Sequence, residues 1–484
     1  MHWDWISAPE YWAGRLVLER LLAACYLLAF LAALHQFRAL LGTNGLTPIP
    51  RFLRGTGFRH SPSVFHLHYS DRFFATIAAI GAVLAAITLL GLTERLPIWG
   101  FMAVWTVLWL LYLSIVNVGQ VWYRFGWESL LLEAGFLAIF LGPADIAPPL
   151  PLLWAFCWLL FRVEFGAGLI KMRGDPCWRD LTCLYYHHET QPMPGPLSWY
   201  FHHLPRPLHK IEVLANHFAQ LIVPFALFAP QPVADVAALI IIVTQLWLMV
   251  SGNFAWLNLV TITLVFATLS DAVLGRIPLL ERPAELAEAP TWHAAVMLAV
   301  CALIVVLSYW PVRNLISKQQ AMNRSFNKLH LGNTYGAFGG ITRNRDELVI
   351  EGTDEDNPGP NTVWREYEFY GKPGDPSRRP RQIAPYHLRL DWLMWFAGIS
   401  PRYAEGWLPQ LVHKLLSNDD AALRLLRHNP FAANPPKFVR VRLYRYRFTT
   451  RAERRESGAW WARSYRREYL PAMSREEFEH RVSR

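Results

Sequence analysis

Runs of about 20 predominantly apolar residues constrain this chain more than any other feature of its sequence. A helix rises about 1.5 Å per residue, so such a run crosses the roughly 30 Å hydrocarbon core of a bilayer. With 53% hydrophobic residues among 484, the chain is too apolar for an ordinary soluble protein. We therefore predict a polytopic α-helical membrane protein with about nine spans. The predicted spans are residues 16–41, 72–92, 97–118, 123–142, 150–172, 209–228, 233–250, 255–269 and 292–310.

The distribution of charge divides the chain into two parts. Residues 312–484 contain 30 Lys and Arg against 19 Asp and Glu, whereas residues 1–311 contain 17 against 18. We predict a transmembrane helical domain over 1–312, with a central loop at 172–207, and a basic, soluble, β-rich α+β domain over 313–484. The excess of positive charge favours contact with anionic lipids or an acidic partner over nucleic acid.

Alternation of apolar and polar residues predicts the elements of the C-terminal domain, which we expect to be β-sandwich-like with short helices. Gly and Pro clusters separate the alternating segments, as the turns of a sheet require. The charged tail after residue 451 is expected to be partly helical. The predicted strands are 334–342, 347–353, 363–370 and 438–449, and the predicted helices are 386–399, 406–416 and 419–427.

Five charged residues lie inside the apolar runs and form a predicted intramembrane charge network: Glu128, Glu133, Arg162, Glu164 and Lys171. Charges at bilayer depth are costly and normally face the bundle interior, where they find partners. Glu164 and Lys171 are seven residues apart, so they share one helix face two turns apart. This pattern fits a structural ion network, and it also fits a buried lysine that acts as a base.

The central loop at 172–207 is rich in Trp, Tyr, His and Cys, which argues against disorder. Only Cys177 and Cys183 of the five cysteines lie in this polar loop, and their spacing permits a disulfide if the loop faces an oxidising compartment. Histidines 187, 188, 202, 203 and 209, with Glu189, match no closed structural zinc pattern, so no metal site is predicted. No phosphate-binding glycine loop and no Gly-x-Ser-x-Gly motif occurs, and no cofactor is predicted.

Several strings resemble the lipase maturation factor family: YRFGWESLLLEAGFLAIFLGP at 123–143, RGDPCWRDLTC at 173–183, HHETQP at 187–192 and NPFAANPPKFVRVRLYRYRFT at 429–449. The resemblance covers nearly the whole chain. It implies a non-enzymatic membrane chaperone that helps client lipases, or other secreted proteins, to fold and assemble. It also implies the endoplasmic reticulum membrane, or the inner or plasma membrane if the source is bacterial. The oligomeric state stays open.

The resemblance makes the central loop the expected client-binding surface. A maturation role needs a surface that meets an incompletely folded client, and the longest stretch that resembles the family, residues 161–205, runs through this loop. The residues assigned to this surface are Arg173, Asp175, Cys177, Trp178, Arg179, Asp180, Cys183, Tyr186, His188, Glu189 and Gln191.

A shorter string supports an alternative function. AGLIK at 167–171, followed by a Trp and a Tyr pair, is similar to the transmembrane region of vitamin K-dependent gamma-carboxylase, in which an equivalent lysine is the base. This similarity implies a membrane-embedded enzyme with Lys171 as base, assisted by Glu164 and His217. Replacing Lys171 separates this alternative from a structural role of the same residue.

The membrane topology is open because two arguments disagree. Counting Lys and Arg in short loops places the loops with Arg51, Arg54 and Arg59, and with Arg173 and Arg179, on the cytoplasmic side. That count gives a cytoplasmic C-terminal domain. The family resemblance implies the reverse, since a maturation role requires the central loop and the C-terminal domain to face the secretory side.

Overall fold

A computed structural model describes residues 4–280 and 282–482. The first two thirds of the chain are helical, apart from the two short strands β1 (Met193–Pro194) and β2 (Gly252–Asn253), which pair with each other in antiparallel fashion. The helices are α1 (Trp12–Leu40), α2 (Ile49–Gly55), α3 (Asp71–Leu89), α4 (Ile98–Val118), α5 (Gly126–Ala138), α6 (Leu150–Arg173), α7 (Pro176–Arg179), α8 (Leu184–Thr190), α9 (Ser198–His202), α10 (Arg206–Leu221), α11 (Val223–Ala226), α12 (Val233–Ser251), α13 (Leu257–Val265), α14 (Asp271–Leu274), α15 (Thr291–Leu307) and α16 (Tyr309–Ile316).

Among the described residues, six helical segments are long and apolar enough to cross a membrane, which confirms a membrane protein with several spans. They contain α1, α3, α4, α6, α12 and the consecutive pair α15 and α16. The last segment, Thr291–Ile316, has the highest mean hydropathy, at 2.3, and its apolar side chains are the least buried of the six. A helix that contacts lipid tails needs a long apolar surface that other parts of the protein do not cover.

The expected count of nine spans is not confirmed in the part of the chain that the structure describes. Helix α5 has 13 residues and α13 has 9, so they reach only about 20 Å and about 14 Å. The run predicted at 209–228 is divided, because α10 ends at Leu221 and α11 begins at Val223, with Pro224 next to the break. Eleven of the 13 residues of α5 are buried. Their apolar character therefore reflects packing inside the bundle.

The C-terminal part contains one four-stranded antiparallel sheet in the order β4-β3-β5-β6. Its strands are β3 (Arg345–Thr353), β4 (Arg365–Glu366), β5 (Phe438–Phe448) and β6 (Trp461–Ser474), and its helices are α17 (Arg389–Ile399), α18 (Leu408–Leu415), α19 (Asp420–Leu423), α20 (Arg451–Ser457) and α21 (Arg475–Val482). The register aligns Arg345 with Tyr446 and Thr353 with Phe438.

The β-sandwich expectation is wrong, because these four strands form a single sheet and helix α17 packs against β3. Residues 334–342, expected as a strand, contain no regular element. This segment instead runs along the membrane helices, where Gly166 of α6 and Gly174, the residue after α6, lie against its backbone. The predicted strand at 438–449 is observed as β5.

The C-terminal part and the helices share one hydrophobic core. Trp122, just before α5, packs edge-on against Trp407 with ring centroids 5.6 Å apart. Phe125 and Trp127 surround His387 and Trp392 with aromatic rings. Helix α16 extends to Ile316, across the domain boundary that we predicted after residue 312, and that boundary stays a prediction.

Candidate functional site

A cavity of about 790 Å³ opens at the C-terminal end of α6, between α6, α10, α12 and α13. Its size falls within the range that holds small molecules or lipid chains. Apolar side chains form most of its wall, which includes Trp178, Phe338 and, from α17, Trp392 and Trp395. Glu164 and Lys171, which the sequence places on one helix face, both line this cavity.

Glu164 is buried and is held by amides from two other helices. Gln245 of α12 donates a hydrogen bond from Nε2 to Glu164 Oε1 at 2.6 Å, and Asn258 of α13 donates to Gln245 Oε1 at 2.7 Å. These two successive hydrogen bonds hold the Glu164 carboxylate against the cavity wall. Neither amide was predicted from the sequence, because a single Gln or Asn in an apolar run has no spacing pattern that would identify its partner.

Lys171 is 5% exposed and its ammonium group also binds amides rather than a carboxylate. Nζ donates to Gln220 Oε1 at 2.6 Å and to Asn216 Oδ1 at 2.9 Å, and it lies 5.0 Å from the centre of the Trp178 ring. No described carboxylate lies within ion-pair distance of this ammonium group. Glu164 and Lys171 therefore share a cavity without forming a salt bridge.

His217 does not join the two proposed catalytic groups. Its Nε2 lies 3.0 Å from the backbone carbonyl oxygen of Trp178, where it ties α10 to the short helix α7. The residue is absent from the cavity wall. The arrangement therefore does not assemble the trio of Lys171, Glu164 and His217 that the carboxylase similarity implied.

Glu133 and Arg162 pair directly, as members of the predicted charge network. Arg162 Nη2 lies 2.5 Å from Glu133 Oε1, and both side chains are buried. Glu133 also accepts hydrogen bonds from the Asn333 side chain at 2.9 Å and from the Tyr335 hydroxyl at 2.9 Å. This cluster anchors the segment after α16 to the bundle, which is a structural role.

Glu128 finds its partner in the C-terminal part, not in α6. Arg389 Nη1 donates to Glu128 Oε1 at 2.6 Å and to the Trp122 carbonyl at 2.6 Å, and the Tyr112 hydroxyl donates to the same carboxylate. Burial, and next the positive charge of Arg389, lower the pKa of the adjacent His387 to about 4. The sequence contains one indication of this pairing, because Arg389 is a charged residue within the largely apolar segment 388–397.

The central loop folds into short helices that close one side of the cavity. Cys177 and Cys183 form a disulfide, with Cα atoms 4.8 Å apart. Of the eleven residues expected to contact a client, Cys177, Trp178, Cys183, His188 and Gln191 are buried, and Asp175, Tyr186 and Glu189 are half-buried. Only Arg173, Arg179 and Asp180 of this set are exposed, so the set as a whole does not form one open surface.

Several polar groups of the loop bind the C-terminal part. Asp175 forms a two-pronged salt bridge with Arg343, at 2.8 and 2.9 Å. Glu189 Oε2 accepts the backbone N–H of Phe448 at 2.7 Å. Arg345 donates to the carbonyl oxygens of Glu189 and Gln191. The loop is therefore a connector between the membrane helices and the sheet.

Family models match two separate stretches of the chain. The model of the lipase maturation factor transmembrane domain matches residues 13–276, and that of the lipase maturation factor C-terminal domain matches residues 331–471. No solved structure matches the chain. The comparisons give no support to an enzyme related to vitamin K-dependent gamma-carboxylase.

Curated relatives align with almost the full chain. Lipase maturation factor 1 of Homo sapiens is 42% identical over 98% of this chain and 90% of its own length. Lipase maturation factor 1 of Mus musculus is 40% identical over 98% and 89%. Lipase maturation factor 2 of Homo sapiens is 29% identical over 93% and 81%. The chain is a membrane protein of the lipase maturation factor family.

Proposed function

We propose that this protein assists the folding or assembly of a client lipase, or of another secreted protein, at the membrane. The observation that carries this proposal is the similarity of 98% of the chain, including its helical and its C-terminal part, to proteins named as lipase maturation factors. A role as a chaperone also agrees with the site geometry, because the ammonium group of Lys171 is held by the side-chain amides of Asn216 and Gln220 and His217 is bonded to the Trp178 backbone.

The proposed client surface is the outer edge of the C-terminal sheet. Strand β6 pairs only with β5 among the described strands, so beyond Trp461, whose N–H binds the Pro376 carbonyl oxygen, its other edge is available to pair with an extended segment. Residues 464–468 of this strand are exposed and include Arg466 and Arg467. The arginines favour an acidic client segment. The exposed Arg173, Arg179 and Asp180 of the central loop form a second, smaller contact region in this proposal.

This function requires the C-terminal part to face the secretory side of the membrane, in the endoplasmic reticulum or its bacterial equivalent. The Cys177–Cys183 disulfide supports this orientation, since disulfides persist in oxidising compartments and are rare in the cytosol. Labelling decides the orientation: a cysteine placed at exposed Arg455 is expected to be protected from a membrane-impermeant thiol reagent in cells whose plasma membrane alone is permeabilised. Labelling under that condition would place the domain in the cytosol.

Client capture tests the proposal directly. The full-length chain is purified in mild detergent after cross-linking, and lipases among the bound proteins are identified. The paired substitution Arg466→Glu and Arg467→Glu is expected to reduce capture of an acidic client by more than tenfold, whereas Arg402→Glu, at another exposed arginine of the same domain, retains it. Capture of no lipase or other secreted protein by the folded wild type would contradict the function. Unchanged capture by the paired variant would contradict only the proposed surface.

A further inference from the structure

We propose that His188, His209 and Glu212 bind a divalent transition-metal ion of the Zn²⁺ class at the wall of the cavity. His188 lies in α8, while His209 and Glu212 lie one turn apart on α10 and therefore on one helix face. Two histidines and one glutamate form a ligand set that zinc takes at sites with an open fourth position. This inference does not rest on the proposed lipase role.

The ligand atoms are close to the separations that a bound ion requires. His209 Nδ1 lies 3.3 Å from Glu212 Oε2, and His188 Nε2 lies 4.0 Å from the same oxygen. All three ligand atoms lie within 4.8 Å of one another. Bonds of about 2.0–2.1 Å in tetrahedral geometry place ligand atoms roughly 3.3 Å apart, so a small side-chain shift of His188 completes the set.

An independent observation is that these buried atoms have no hydrogen-bond partner among the described residues. His188 is 3% exposed and His209 is 2% exposed. Both ring nitrogens of His188, Nδ1 of His209 and Oε2 of Glu212 are buried without a hydrogen bond. Buried polar atoms in native proteins are nearly always bonded. A metal ion would satisfy three of these four atoms together.

The surroundings are also suited to a metal site. Glu212 Oε1 accepts a hydrogen bond from the indole N–H of Trp247 at 2.8 Å, which orients the carboxylate and leaves Oε2 directed at the two imidazoles. Such outer partners position metal ligands. His188 and Glu212 both line the cavity. The fourth coordination position would therefore take water or an oxygen atom of a cavity ligand.

The sequence did not indicate this site. The histidines of the central loop were considered as a group by themselves, with Glu189 as the nearby carboxylate, and their spacing fits no closed structural site. Glu189 instead accepts a backbone N–H from Phe448. Glu212 provides the carboxylate, and it comes next to His188 only when α10 folds under α8.

The test measures Zn²⁺ binding by the full-length chain in detergent, purified with a tag that contains no histidine. Metal content per folded chain and competition with a chelator of known affinity give the dissociation constant. One Zn²⁺ per chain is expected. Losing a residue that only orients a ligand weakens metal binding about 10–100-fold, so Trp247→Phe should weaken it by about tenfold and Glu212→Gln by about 100-fold or more.

His203→Ala is the matched control, because His203 belongs to the same loop and its Nδ1 lies 2.7 Å from the Trp199 carbonyl oxygen, outside the proposed ligand set. This variant should bind Zn²⁺ as the wild type does. Glu212→Gln preserves the side-chain shape, so its thermal unfolding should match that of the metal-free wild type. The proposal is overturned if the folded wild type binds no Zn²⁺, or if Glu212→Gln and the wild type bind it equally.

Discussion

Replacing Arg389 by methionine tests whether a buried ion pair joins the two parts of the protein. Arg389 and Glu128 are fully buried, with Nη1 and Oε1 2.6 Å apart. Removing one partner of a buried pair leaves the other charge uncompensated and costs about 3–5 kcal/mol. Since about 1.4 kcal/mol changes an equilibrium constant tenfold, the ratio of folded to unfolded protein should fall roughly 100- to 4000-fold.

Buried thiols provide the assay. Cys25 and Cys157 lie in the helical core, so a thiol reagent reacts with them only when the protein opens. Their labelling is followed in detergent against increasing denaturant, and the shift in midpoint gives the change in free energy of unfolding. Arg389→Met should unfold at markedly lower denaturant than the wild type.

Two further variants complete this experiment. Combining Arg389→Met with Glu128→Gln removes both charges, so the double variant should recover much of the lost stability. Arg402→Met, at an exposed arginine of the same domain, should change stability by less than about 0.5 kcal/mol. The reasoning is refuted if Arg389→Met behaves like Arg402→Met, or if the double variant is no more stable than Arg389→Met alone.

Three further predictions concern the loop, the pH response and the seam between the two parts. Cys177→Ser should lower the free energy of unfolding by about 2 kcal/mol through loss of a small disulfide loop, and equal melting of variant and wild type would contradict this. The pKa of His387 is about 4 in the folded protein and about 6.5 in the unfolded chain. As the pH falls below about 6.5, the unfolded chain therefore binds a proton at His387 before the folded protein does. The free energy of unfolding should therefore decrease by about 3 kcal/mol from pH 6.5 to pH 4 because of this group. His387→Gln should make that decrease smaller. An unchanged dependence of stability on pH in this variant would contradict the prediction. A Cβ at Gly174 would lie 2.1 Å from the Gly339 carbonyl oxygen, so Gly174→Ala should increase proteolysis after residue 330, whereas Gly340→Ala, with open space around it, should not. Equal proteolysis of these two variants would contradict the close packing of this seam.

The long membrane helices could be predicted because length and apolar composition follow directly from bilayer thickness. Helices α5 and α13 could not be distinguished from spans in this way, since side chains buried in protein are as apolar as side chains that face lipid. Helical periodicity predicts that Glu164 and Lys171 share one helix face, but not that a cavity lies beside that face. Their amide partners were not, because Gln220 and Gln245 approach from other helices.

Most of the remaining differences between the predicted and the observed structure involve residues that interact although they are far apart in the sequence. Arg389 lies 261 residues from Glu128, and only the tertiary fold brings them together. The charged segment 461–474 was not predicted as a strand, because as an edge strand it is largely exposed and lacks apolar alternation. The central loop was expected to face a client because it carries a long string that resembles the family. Asp175 and Glu189 of this loop instead bond to the C-terminal part.

The specific activity of secreted lipases tests the central claim most directly. The gene for this chain is deleted in its native host, and secreted lipase activity is divided by the amount of secreted lipase protein. The proposed function predicts that this ratio falls by more than tenfold in the deletion strain and is restored by the wild-type chain. An unchanged ratio for every secreted lipase, with the wild-type protein shown to be folded in the membrane of the parent strain, would contradict the claim.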